Sequence, residues 1–149
     1  MRENLDSLNW MNGFCKTNRN LFVTQHFNEY LAHTKTFQSY QTIKKVNKRF
    51  FRKLEKLIGF NQKTRLNRVV ITETLSPRNH SHMVIEIPSH LTYGEMCFNI
   101  QTASSKTRNM GSCFIKPVDN YSRLLEYLSK ESSLNPDYIE LENCFVKRF

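Results

Sequence analysis

The chain has 149 residues, which suits one domain around one core, and 39% of them are hydrophobic, with eleven Phe among them. Its 22 basic residues outweigh 13 acidic ones for a formal charge of +9, so a polyanionic partner is expected, nucleic acid before an acidic membrane surface. There is no repeat and no apolar run of membrane-spanning length, and Cys15, Cys97, Cys113 and Cys144 form no Cys-x-x-Cys pair, which argues against a zinc knuckle or a redox motif.

Residues 1–19 read as an N-terminal arm with Trp10, Met11 and Phe14 as its apolar anchors. Its opening run, Met-Arg-Glu-Asn-Leu-Asp, lacks the apolar stretch of a signal peptide. A reduced, cytoplasmic protein with free thiols is the expectation.

Leu21-Phe-Val-Thr-Gln-His-Phe27 is rich in β-branched and aromatic residues and predicts a strand. Tyr40 to Ile58 predicts an amphipathic helix, with Ile43, Val46, Phe50, Leu54 and Leu57 as its buried stripe and Gly59 as its C-terminal cap. Lys44, Lys45, Lys48, Arg49, Arg52, Lys53 and Lys56 fill other positions of that helix. They read either as an ordinary solvated face or as a surface that tracks a phosphate backbone.

Arg68 to Glu73 predicts a strand in which Val69, Ile71 and Glu73 share a face. A turn follows at Ser76 to Asn79, where Pro77 stops the ladder. His82 to Ile87 predicts the next strand, antiparallel to the first. His80 and His82 lie two apart, so they project from one face while Met83, Ile85 and Ile87 project from the other. Two imidazoles with a carboxylate from the neighbouring strand make a ligand set for a divalent metal. Glu73 is the first candidate for that carboxylate position, and Glu86 and His26 are its rivals for the third ligand. A His-x-His pair on a strand can equally be simply solvated.

Thr92-Tyr-Gly-Glu95 has capping-box spacing and predicts a helix to about Ile100, followed by a mobile basic loop over 101–112. Cys113 to Pro117 predicts a short strand, and Tyr121 to Glu131 a helix. On that helix Tyr127 and Lys130, three apart, share a face. A phenol is a weak nucleophile at its ordinary pKa of about 10, so a neighbouring ammonium group and a metal-polarised target are the help it needs. Read alone, Tyr127 is a helix-border residue covering the core. Residues 132–149 form a C-terminal extension, a last strand or a tail. The order β, α, β-β, α, β, α predicts an α+β fold, an antiparallel sheet with helices packed on it in a ferredoxin-like sandwich.

Taken together, Glu73, His80-Ser-His82 and Tyr127-Leu-Ser-Lys130, with Leu21–Phe27 as a first motif, resemble the HUH-type endonucleases. Within them the chain is most similar to single-tyrosine rolling-circle initiators, among them compact phage and plasmid proteins. The resemblance spans residues 20–131 and departs at Ser81, where the family usually has a bulky apolar residue, which weakens the packing of the hairpin. It implies an enzyme in which Glu73, His80 and His82 hold Mg²⁺ or Mn²⁺ and Tyr127 attacks single-stranded or hairpin DNA. The products would be a 5′-phosphotyrosyl link and a free 3′-hydroxyl, with Lys130 stabilising charge. It also implies DNA contacts by Lys44, Lys45, Lys48, Arg49, Arg52 and Arg78, and a host helicase and polymerase as partners. A small transposase or relaxase, and a non-catalytic nucleic-acid-binding module, are the competing readings.

Overall fold

β-Branched and aromatic side chains, with buried and partly exposed positions alternating, build strand β1 (Asn20–Phe27). It pairs in one sheet with β2 (Arg68–Leu75), β3 (Arg78–Glu86) and β4 (Met110–Pro117); helix α1 (Tyr40–Leu57) follows β1 and helix α2 (Tyr93–Lys106) follows β3. The computed structural model describes residues 19–28, 38–61, 63–75, 78–118, 140 and 143–145. The strand order is β2-β3-β1-β4 with every neighbour antiparallel. This is an α+β topology, two interlocked βαβ units, compatible with a ferredoxin-like fold.

Helix α1 starts at Ser39, whose side chain accepts from the Thr42 amide at 3.2 Å. It ends before Gly59, whose φ of +84° a glycine adopts without steric cost. Ile43, Val46, Phe50, Phe51 and Leu54 are buried, together with Asn47. Leu57 departs from the expected stripe and is 40% exposed, while Ile58 is buried instead. The helical period ends at Leu57, so the turn that follows, and not the period, orients the next side chain.

Helix α2 opens with the capping box of Thr92 and Glu95. It continues to Lys106, past the predicted end at Ile100, and β4 already begins at Met110, so the mobile loop expected over 101–112 is mostly regular structure. Packing overrides the weak propensity of its Thr- and Ser-containing last turns. Ala103 and Ser104 are buried there, and the Ser104 hydroxyl donates to Gln25 Oε1 at 2.9 Å. The turn into β4 uses Asn109 at φ 73°.

Both helices cover one face of the sheet. The core joins Ile43, Val46, Phe50 and Leu54 of α1 and Met96 and Ile100 of α2 to Leu21, Val23, Val70, Met83 and Ile85 of the strands. Each large side chain fully buried there contributes roughly 1.5–3 kcal/mol.

The hairpin strands reach further than their sequences predict, with Thr74 paired to Asn79 and Leu75 to Arg78. β3 therefore begins at Arg78 and not at His82. Asn79, expected in the turn, is buried in the strand and donates to the Gln38 carbonyl at 3.1 Å. Ser81 does face the core, but it does not leave a defect. Its hydroxyl lies 2.5 Å from that of Thr72 and accepts from Asn47 Nδ2 at 3.1 Å. The fully buried Glu140 completes this polar inclusion, accepting from Thr72, from Asn47 at 2.9 Å and from Asn143 at 2.7 Å. Burial pushes the Glu140 carboxyl above its ordinary pKa, against the pull of the Thr72, Asn143 and Asn47 donors and of Lys44. Within the expected C-terminal extension, Phe145 bridges to Arg68 of β2.

Cys97, Cys113 and Cys144 are unbridged. Burial pushes the Cys113 thiol up to about 11 and the Cys144 thiol up to about 12, so both are protonated at neutral pH. No helix among the described residues is long and apolar enough to cross a membrane.

Candidate metal centre

Strand alternation sorts the sheet into two chemistries. Val70, Thr72, Ser81, Met83 and Ile85 face the helices. The opposite parity, with Ile71 and Glu73 on β2 and His80, His82 and Val84 on β3, defines the other face. The ladder sets Glu73 directly across from His80 and Ile71 across from His82.

Glu73, His80 and His82 form a group that can hold a metal ion, their ligand atoms all within 4.8 Å of one another. Two ligands at opposite sides of an ion with bonds of about 2.1 Å lie about 4.2 Å apart, so the spacing is close to that of a coordination shell. Oε2 of Glu73 lies 2.7 Å from Nε2 of His80, and the two imidazole rings meet edge to face at 4.8 Å. Glu73 and His82 are buried and His80 is partly so. Burial first, and then the neighbouring His80 and His26, together lower the His82 pKa to about 4. His82 is therefore neutral at pH 7, the state in which a ring nitrogen can bind a metal.

The residues around the group fix its orientation. His82 Nδ1 lies 3.3 Å from the Thr24 hydroxyl, and its ring stacks on Phe22 with centroids 5.5 Å apart. Such outer contacts orient metal-binding imidazoles and raise their affinity. Glu86 has the parity of the histidines but lies six residues along β3 from His80, about 20 Å of strand, and its carboxylate accepts from Asn67. Hairpin register thus brings Glu73, and not Glu86, to the histidines. His26 pairs with His80 in the ladder with ring centroids 6.0 Å apart, and sits beside the group with its ring edge-on to the exposed Phe114.

The basic helix is not at this site. Lys45, Lys48, Arg49 and Arg52 are exposed on α1, which packs on the other face, and Lys44 lies over the Tyr40 ring at 4.6 Å. The Arg78 side chain, Tyr127 and Lys130 lie outside the described residues. Thr24, Phe22 and Phe114 had no sequence signal of their own. Thr24 and Phe22 share the parity of His26 on β1, and that parity was their one available clue. Comparison with family models, with curated proteins and with solved structures returned no match.

Proposed function

We propose that the protein nicks and rejoins single-stranded or hairpin DNA to initiate rolling-circle replication, with Tyr127 as nucleophile and a divalent ion held by Glu73, His80 and His82. One observation carries this reading: the hairpin register gathers one carboxylate and two imidazoles, one of them neutral at pH 7, within 4.8 Å. The spacing of Tyr127 and Lys130 in the sequence, and the resemblance to HUH-type endonucleases, extend it from metal binding to chemistry.

The ion, when bound, supplies Lewis-acid polarisation of the scissile phosphate. Two imidazole ligands suit Mn²⁺ better than Mg²⁺, which prefers an all-oxygen shell. Glu73 provides the negative charge that holds the ion, and Thr24 and Phe22 keep the His82 ring in place. The Tyr127 oxygen attacks phosphorus, the bond from phosphorus to the 3′-oxygen breaks, and the phenolic proton ends, net, on that 3′-oxygen. A 5′-phosphotyrosyl link and a free 3′-hydroxyl result, and Lys130 stabilises charge on the phosphate or the phenolate. Reversal by a 3′-hydroxyl rejoins the strand.

The same sheet face supports a single-stranded substrate. His26 and Phe114, which is 59% exposed, offer unstacked bases an aromatic surface beside the metal group. The test is incubation of the protein and of Tyr127→Phe with labelled single-stranded oligonucleotides and Mn²⁺. A covalent adduct with the unmutated protein alone supports the enzyme. Oligonucleotide binding with no adduct on any sequence would leave a non-catalytic binding module.

A further inference from the structure

A cleft lined by several basic side chains lies on the helix-bearing face. It has a volume of about 830 Å³ and runs between α1 and the segment 60–68. Lys48, Arg52 and Lys56 line it from α1, Arg65 from the facing wall, and the buried Arg68 from the floor. Arg65 is held over the Phe145 ring at 5.0 Å. The single acid in the lining, Glu55, is already engaged: it lies 3.5 Å from Arg68 Nη1 and accepts from the Leu66 amide at 3.1 Å. Four lining cations thus remain beyond this pair.

One effect opposes anion binding here. The cleft lies near the C-terminal end of α1, the negative end of its dipole, equivalent to about half a charge. Several of the last carbonyls are occupied, however. Leu54 and Lys56 accept from the amides of Ile58 and Gly59, and Ile58 accepts from His90 Nε2 at 2.9 Å. Several full cations outweigh the remaining fraction of a charge.

We propose that this cleft binds the phosphodiester backbone of a nucleic acid, at a site separate from the metal centre. Lys48, Arg52 and Lys56 recur every four residues, so they form a row rising about 6 Å per step over about 12 Å of helix. That length exceeds one phosphate and matches a polymer with successive charges. The sheet stands between the two sites: Arg68 and Val70 have the parity of the helix face, and Glu73 the opposite one. A nucleic acid in contact with both would run from the helix face of the sheet to the opposite face. From Arg68 to Glu73 is five residues, about 17 Å along that strand, so the cleft grips nucleic acid well away from the bond to be cut. The inference rests on the nucleic-acid part of the function proposed above and not on its metal or tyrosine chemistry.

The test is fluorescence anisotropy with a labelled single-stranded oligonucleotide of about 30 nucleotides in the presence of EDTA, which takes the metal centre out of the measurement. Arg52→Glu with Lys56→Glu is expected to weaken binding at least tenfold at moderate salt. The slope of log affinity against log salt should fall by about one to two, since each lost phosphate contact removes roughly 0.7–0.9. Lys106→Glu with Arg108→Glu makes the same change in net charge outside the cleft and is expected to stay within threefold of the unmutated protein. Arg65→Ala, on the facing wall, gives a milder loss with little risk to folding. Equal losses from the two double variants, no loss from the cleft variants, or no binding by the unmutated protein would overturn the proposal. Loss of the covalent adduct with cleft binding intact would count against the nicking reaction alone.

Discussion

Oε2 of Glu73 stands 2.7 Å from Nε2 of His80, directly across the β2–β3 ladder. Neither residue is informative alone. Their pairing follows from a turn short enough to hold the register, so that a carboxylate seven residues before a histidine in sequence becomes its cross-strand neighbour.

Metal binding at this pair is measurable without any substrate. Mn²⁺ at about a hundred times its Kd is expected to stabilise the fold by about 2.7 kcal/mol, a rise in Tm of roughly 5–10 °C that EDTA reverses. Glu73→Gln and His80→Ala should each abolish most of this rise. A rise that persists in both variants would place the ion elsewhere.

The Thr24 hydroxyl touches His82 Nδ1 and is not one of the three candidate ligands. Thr24→Val keeps the side-chain shape and removes only that contact. A loss of about tenfold in Mn²⁺ affinity by calorimetry is expected, with a stability change near 1 kcal/mol. Unchanged affinity would show that Thr24 does not orient the ring.

His82 also sets a pH dependence for the metal-free protein. Its pKa is about 4 in the fold and 6.5 as the ordinary value, so between these the unfolded chain binds more protons. Stability should therefore fall as pH drops from about 6.5 to 4, by on the order of 2–3 kcal/mol from this residue. Glu140 works in the opposite sense, because its raised carboxyl pKa favours folding at low pH and that gain is lost as pH rises. NMR titration of the His82 ring separates the two: a midpoint near 4 is expected, and one near 6.5 would contradict the burial argument.

The polar inclusion behind the hairpin is a stability element. Glu140→Ala leaves the buried Asn47, Thr72 and Asn143 donors short of an acceptor. A cost of about 2–4 kcal/mol in urea denaturation is expected, with the Mn²⁺ response of the refolded fraction retained. A cost under 1 kcal/mol would mean that water or rearranged partners replace the carboxylate.

Much of the fold was legible because its signals are local. The period of Ile43, Val46, Phe50 and Leu54, the C-terminal cap at Gly59, the capping box at Thr92 and Glu95, and the alternation around His80 and His82 each lie within one short segment. What escaped depends on distant partners. Asn79 and Ser81 look unsuited to a buried strand until Gln38, Thr72 and Asn47 supply their hydrogen bonds. The last turns of α2 persist because Ser104 reaches Gln25 on β1. The choice of Glu73 over Glu86 needed cross-strand register. The basic residues of α1 were legible as a charged face, but parity alone could not tell which side of the sheet the helix would cover.

The most direct measurement of the central claim uses a random pool of single-stranded oligonucleotides incubated with Mn²⁺, followed by mass spectrometry of any DNA-linked peptide. The expected result is a 5′-phosphate joined to Tyr127, abolished by EDTA and by Glu73→Gln. Attachment at another residue, or no attachment while Mn²⁺ still binds Glu73, His80 and His82, would contradict it.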